Sequence, residues 1–179
     1  MVINNRASGT LLPDHVRNAS VGSTIIGIPY KWGGADAHDY GAGGRSNFGT
    51  YQSQGFQTGD IDWNDYGVSS VTGLDCSGFV GLAWFRTDLK YGTSTLSNIS
   101  HAITKPQLKH MDALNDSGFH TLLYVNGGLT SIITKEAAKD GTQGAQNYSR
   151  TWHWLESTHK FLPIRYNKIL DDGSPIPGS

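Results

Sequence analysis

The chain has 179 residues, 14 of them Lys or Arg and 15 Asp or Glu, for a formal charge of −1; that length suits one domain able to bury roughly two thirds of its unfolded surface. Acidic and basic residues are mixed along the chain, which gives no electrostatic footprint for nucleic acid or an anionic membrane surface, and neither partner is expected. The single cysteine excludes an internal disulfide, and the fold must rest on its core.

In chain order, the N-terminal MVINNRASGTLLPDHVRNAS has no apolar h-region, and no segment reaches bilayer-spanning length, so a soluble chain without membrane insertion is expected. DHVRNASVGSTII, Asp14 to Ile26, places Val16, Ala19, Ile25 and Ile26 near one face of a helix, with Asp14 as N-cap after Pro13. Residues 33–73 hold no sustained period. They are rich in Gly, Asp, Asn and Ser, yet Tyr40, Phe48, Tyr51, Phe56, Trp63 and Tyr66 argue against disorder, so an ordered insertion lining a site is expected. CSGFVGLAWFRTD then sets Phe79, Val80, Ala83 and Trp84 in a helical stripe behind the N-cap Asp75. After a helical or turn segment near KPQLKHMDAL, HTLLYVNGGLTSIITKEA reads as a hairpin joined at Asn126, Gly127 and Gly128, and HKFLPIRYNKI as a last strand. Helices followed by antiparallel strands make the class α+β.

Cys76 falls in the first turn of the predicted helix, beside unpaired backbone N–H groups and the positive end of the helix dipole. Such donors favour a thiolate and can also hold a tetrahedral oxyanion. A nucleophilic thiol needs a base, and the base an orienting partner. His120 at the start of a core strand suits the first role, and Glu136 near the end of the next strand suits the second. Position alone equally admits a buried structural cysteine with an unrelated histidine.

DCSGFV around Cys76, with IPYKWGG from Ile28 to Gly34 upstream, resembles the signature pair of the NlpC-type cell-wall peptidases, a branch of the papain-like cysteine peptidases. The resemblance spans about Asp14 to Tyr166. It implies a papain-like α+β fold in one catalytic domain over 1–179, with the nucleophile helix packed on a C-terminal antiparallel sheet and an insertion at about 33–73. It also implies Cys76 as nucleophile, His120 as base, Glu136 as orienting residue and Tyr30 as a hydroxyl assisting binding or the oxyanion. Asp75 and Ser77 would line the pocket for the N-terminal end of a stem peptide. The implied reaction is hydrolysis of an amide bond in peptidoglycan stem peptides, a D-glutamyl–diamino acid linkage, without metal or organic cofactor, by a monomer secreted or associated with the wall. Where family members carry H-V-G-I-Y and G-D, this chain has HTLLYV and HMDAL, which implies a subgroup with its own pocket walls. An acyltransferase or other amidase on the same scaffold, and a catalytically silent wall-binding domain, are the alternatives.

Other patterns are weaker. DIDWNDYG, Asp60 to Gly67, begins like a calcium loop but has Asp65 where the Gly belongs and no final acidic ligand. HWLESTH lacks the i, i+4 His spacing of a metal helix, and is read as a surface segment whose His153 and Glu156 rival Glu136 as third residue. Trp84 follows the core stripe, whereas Trp32 and Trp63 suit packing or substrate contact equally. The glycine clusters read as turns rather than phosphate loops.

Overall fold

A computed structural model describes residues 12–59, 61, 70–139 and 144–170, with Asp14 lacking a described side chain. The chain divides into two compact units, Met1–Lys90 with Ala137–Gln146, and Tyr91–Glu136 with Asn147–Ser179. Among the described residues no helix is long and apolar enough to cross a membrane.

The first unit begins with α1, Asp14–Arg17, a single turn where the sequence predicts a helix running to Ile26. Asn18, Ser20 and Gly22 end it: Gly22 has a φ of +88°, and both the amide and the hydroxyl of Ser23 donate to Ser20 O in a tight turn. Leu12 and Val16 nevertheless pack with Ala19 and Ile25. Turn chemistry thus brings Val16, Ala19 and Ile25 together without the continuous helix that the apolar period predicts. Ile26 is exposed.

Residues 33–73 carry local structure of their own. α2, Phe48–Ser53, starts at Asn47, whose side chain accepts from Thr50 N at 2.7 Å. β1, Gln57–Thr58, lies parallel to β2, Val71–Thr72. Asp36, fully buried, accepts the Thr72 hydroxyl at 2.9 Å and is paired through both oxygens with the Arg45 guanidinium, tying the two ends of the stretch together. Trp63, Tyr66 and the acidic residues of the calcium-like pattern lie outside the described residues.

α3, Cys76–Ala83, is capped by the Asp75 carboxylate, which accepts from Gly78 N at 2.6 Å. It ends earlier than the sequence stripe suggests. Phe85 N donates to Leu82 O and Arg86 N to Gly81 O, both at 2.9 Å, the paired closure of a Schellman motif. Phe85 occupies its left-handed position, φ +57°, and the residue is 80 % exposed. A non-glycine residue there is strained, so Phe85→Gly should stabilise the chain by about 0.5–1 kcal/mol in urea denaturation. Tyr30, Ala35, Ala42, Leu74, Leu82 and Ala137 form this unit's main apolar cluster.

The second unit is built on a six-stranded antiparallel sheet, so the protein is mixed helix and sheet, with few helices. Its strands are β3 (Ser100–Ala102), β4 (Ala113–Asp116), β5 (His120–Gly127), β6 (Ser131–Glu136), β7 (Gln146–Thr151) and β8 (Leu162–Tyr166), in the order β3-β8-β4-β5-β6-β7. A tight turn with Gly118 at φ +83° joins β4 to β5, opposing Asp116 to His120. In the β5–β6 hairpin the register shifts between Tyr124 and Asn126. That bulge moves the turn beyond the predicted Asn126–Gly128: Asn126 and Gly127 still pair with Ile133 and Ile132, and Gly128 N closes onto Ser131 O. Leu114, Leu122, Ile132, Leu155 and Phe161 make the core on this sheet. Arg165 grips buried Asp112 through both carboxylate oxygens at 2.7 Å each, which accounts for the Asp of HMDAL as a structural anchor.

Candidate active site

In the first unit the two sequence motifs are laid side by side. Leu74 N donates to Pro29 O at 3.0 Å, Lys31 N to Leu74 O at 2.9 Å and Asp75 N to Gly34 O at 3.0 Å, so the Tyr30 segment, joined to Leu74 by an isolated bridge, lies along the entry to α3. Two glycines make this approach feasible. A Cβ at Gly34 would stand 2.3 Å from Gly73 O, and one at Gly78 would stand 2.2 Å from Gly34 O. Gly34→Ala should therefore destabilise the chain by about 2 kcal/mol or more. Gly49→Ala in α2, where the nearest atom would lie at 3.6 Å, should be neutral or slightly stabilising in the same denaturation assay.

Cys76, a buried free thiol, is the first residue of α3. The Tyr30 ring is buried beside it, and burial first, then the charges of Cys76 and Asp75, push the phenol well above its usual pKa. Tyr30 is thus a hydrogen-bond donor at any working pH. Trp32 is partly exposed and tilted against Tyr30, with ring centroids 6.4 Å apart. Asp75 has a fuller role than a cap: one oxygen accepts from Gly78 N and the Ser77 hydroxyl, the other from Gly33 N at 3.1 Å and Lys90 Nζ at 2.8 Å. Lys90 also reaches Ser77 Oγ at 3.2 Å. The carboxylate and hydroxyl that the resemblance assigns to a stem-peptide amine are already bound to a cation of this chain.

In the second unit His120 opens β5, and Glu136 ends β6. Leu123 faces Lys135, so Glu136 falls diagonally across from His120 on the same face, a spacing that long side chains bridge. His120 Nε2 lies 2.9 Å from Glu136 Oε2. Three further hydrogen bonds reach the carboxylate: Arg150 Nε to Oε1 at 2.8 Å, Arg150 NH2 to Oε2 at 2.7 Å, and the Thr134 hydroxyl to Oε1 at 2.5 Å. Glu136 is 0 % exposed. Burial alone would raise its pKa, but the hydrogen bonds from Arg150, His120 and Thr134, with the charge of His120, outweigh that and hold it at about 2. An ionised carboxylate only accepts, so the proton on the His120–Glu136 bond belongs to Nε2.

The rival third residues are engaged elsewhere or exposed. Glu156 pairs with Lys105 at 2.5 Å, and His153 is exposed at the entry to a π-helical turn, Trp154–Thr158. His159 stacks on Phe119 with centroids 4.4 Å apart and faces Asp116 at 3.7 Å. Among the described residues no three His, Cys, Asp or Glu side chains gather as a metal site would require. Sequence reasoning missed Arg150, Thr134 and Lys90. The signal for Arg150 was present: an inward-facing Glu on a core strand requires a cation within reach, and the polar strand next to it carries one. Comparisons with family models, with curated proteins and with solved structures found no match to this chain.

Proposed function

We propose that this protein is a papain-like cysteine hydrolase that cuts an amide bond in peptidoglycan stem peptides, with Cys76 as nucleophile, His120 as base and Glu136 as orienting carboxylate. The observation that carries the reading is the pair of partly buried His120 with buried Glu136, in which an ionised carboxylate fixes the proton on Nε2 and leaves proton exchange to Nδ1. The wall-peptide substrate class rests on the Tyr30 and Cys76 motifs. In this mechanism the thiol proton passes to His120, Sγ attacks the carbonyl carbon, and donors at the start of α3 with the Tyr30 hydroxyl stabilise the oxyanion. His120 then protonates the leaving amine, and a water deprotonated by His120 releases the acyl group. Such an enzyme acts outside the cytoplasmic membrane, as a monomer, without a cofactor.

Digestion of defined muropeptides, with mass identification of the products, tests this. A new amine and carboxylate at a D-glutamyl–diamino acid bond, absent with Cys76→Ala, is the expected result. Transfer of the acyl group to an added amine would assign an acyltransferase instead. Binding of muropeptides without turnover, equal in Cys76→Ala, would assign a wall-binding domain.

A further inference from the structure

Arg150 stands out because it does more than neutralise a buried charge. Its guanidinium meets Glu136 in a two-point fork, while its carbon centre lies 4.6 Å from the ring centre of Tyr148 and 4.5 Å from that of Trp154. The fork fixes the carboxylate plane, and the rings fix the fork. Thr134 takes the remaining direction on Oε1, so the oxygen facing His120 has one orientation available. A lone carboxylate beside an imidazole favours the charged imidazolium, whereas a carboxylate already paired with a cation favours it much less.

We propose that Arg150 is a positioning residue that acts on His120 through Glu136: its guanidinium orients the carboxylate and offsets its charge, so the imidazole is held in one tautomer without being locked in its protonated form. The inference rests on the reading of His120 as the base. Among the described residues of this unit, Glu136 from β6 meets the imidazole and Arg150 from β7 stands behind that carboxylate. Phe119 and Phe161 present ring edges to it, and His159 with its partner Asp116 lies behind Phe119. Lys105, over Trp152 and paired with Glu156, is engaged away from the fork.

The test is an NMR titration of the His120 ring proton in full-length Cys76→Ala protein, which removes the thiol from the titration and needs no substrate. Arg150→Met should raise the midpoint by about one pH unit, a tenfold gain in proton affinity of the His120–Glu136 pair. Arg150→Lys, which keeps the charge, should return it to within about 0.3 unit. Arg150→Gln, whose amide still donates to Glu136, should show the same rise as Arg150→Met and serves if the latter does not fold. A midpoint that stays or falls in a folded charge-removing variant overturns the proposal. With Cys76 intact, Arg150→Lys should lower kcat about tenfold at unchanged KM, because an ammonium cannot hold both oxygens; an unchanged kcat also overturns it. Absence of muropeptide hydrolysis by the unsubstituted enzyme would instead overturn the peptidase reading, and the titration would still decide on Arg150.

Discussion

Cys76→Ala should lower kcat on a muropeptide by roughly 10⁴-fold or more while leaving the fold intact, since the proposed chemistry passes through one sulfur atom. The substitution removes a single buried atom at the first position of α3 and touches neither the Asp75 cap nor the backbone hydrogen bonds to the Tyr30 segment. Its cost in stability should be about 1 kcal/mol or less. Urea denaturation run beside the activity assay separates the two effects. Retention of more than about one per cent of activity by a folded variant would remove Cys76 from the nucleophile's role. Alkylation gives an independent reading: the thiol should react faster near neutral pH than a free cysteine, and His120→Ala should slow it. A rate that simply follows an ordinary thiol near pH 8.5, indifferent to His120→Ala, would sink the proposed pair.

What could be read from the sequence follows from how local each feature is. Asp75 as N-cap and Cys76 as the first helical residue depend on a few adjacent residues, and both stand where the pattern puts them. The starting residue of β5 was legible for the same reason, because HTLLYV is a strong strand-former. The span from Ser20 to Ile26 misled because its apolar spacing fits a helix while its Ser and Gly residues favour turns, and the turns win. β7, QNYSRT, gives no strand signal in the sequence, since its alternation is between half-buried and exposed residues without an apolar period. β3, at the other sheet edge, is only three residues long. Of the two, β7 matters most, because without it the cation for Glu136 has no place.

Glu136→Gln should be the more damaging of the conservative changes, on both stability and turnover. The carboxyl sits at about 2 in the folded chain against an ordinary 4.5. A lowered folded pKa contributes stability that is present above the unfolded value and lost as the pH falls from about 4.5 through about 2. The contribution at neutral pH is on the order of 3 kcal/mol, and the variant should lack this part of the acid dependence. Much of that contribution is the Arg150 fork, whose guanidinium the amide leaves facing a neutral group. Turnover suffers for a separate reason. Gln has one acceptor oxygen and one donor nitrogen; with the oxygen at the Oε1 position, where Arg150 Nε and the Thr134 hydroxyl donate, the NH₂ stands at the Oε2 position facing His120 Nε2 and Arg150 NH2. That makes Nε2 an acceptor and moves the ring proton to Nδ1, the wrong tautomer for taking a proton from the thiol. A loss of roughly 10²- to 10⁴-fold in kcat with little change in KM is expected. His153→Ala and Glu156→Gln, one at an exposed position and the other in the Lys105 pair, should remain within about twofold of the parent. Measured together on one muropeptide, a silent Glu136→Gln beside a strong loss in either of those variants would transfer the orienting role to that residue and leave Cys76 and His120 as they stand.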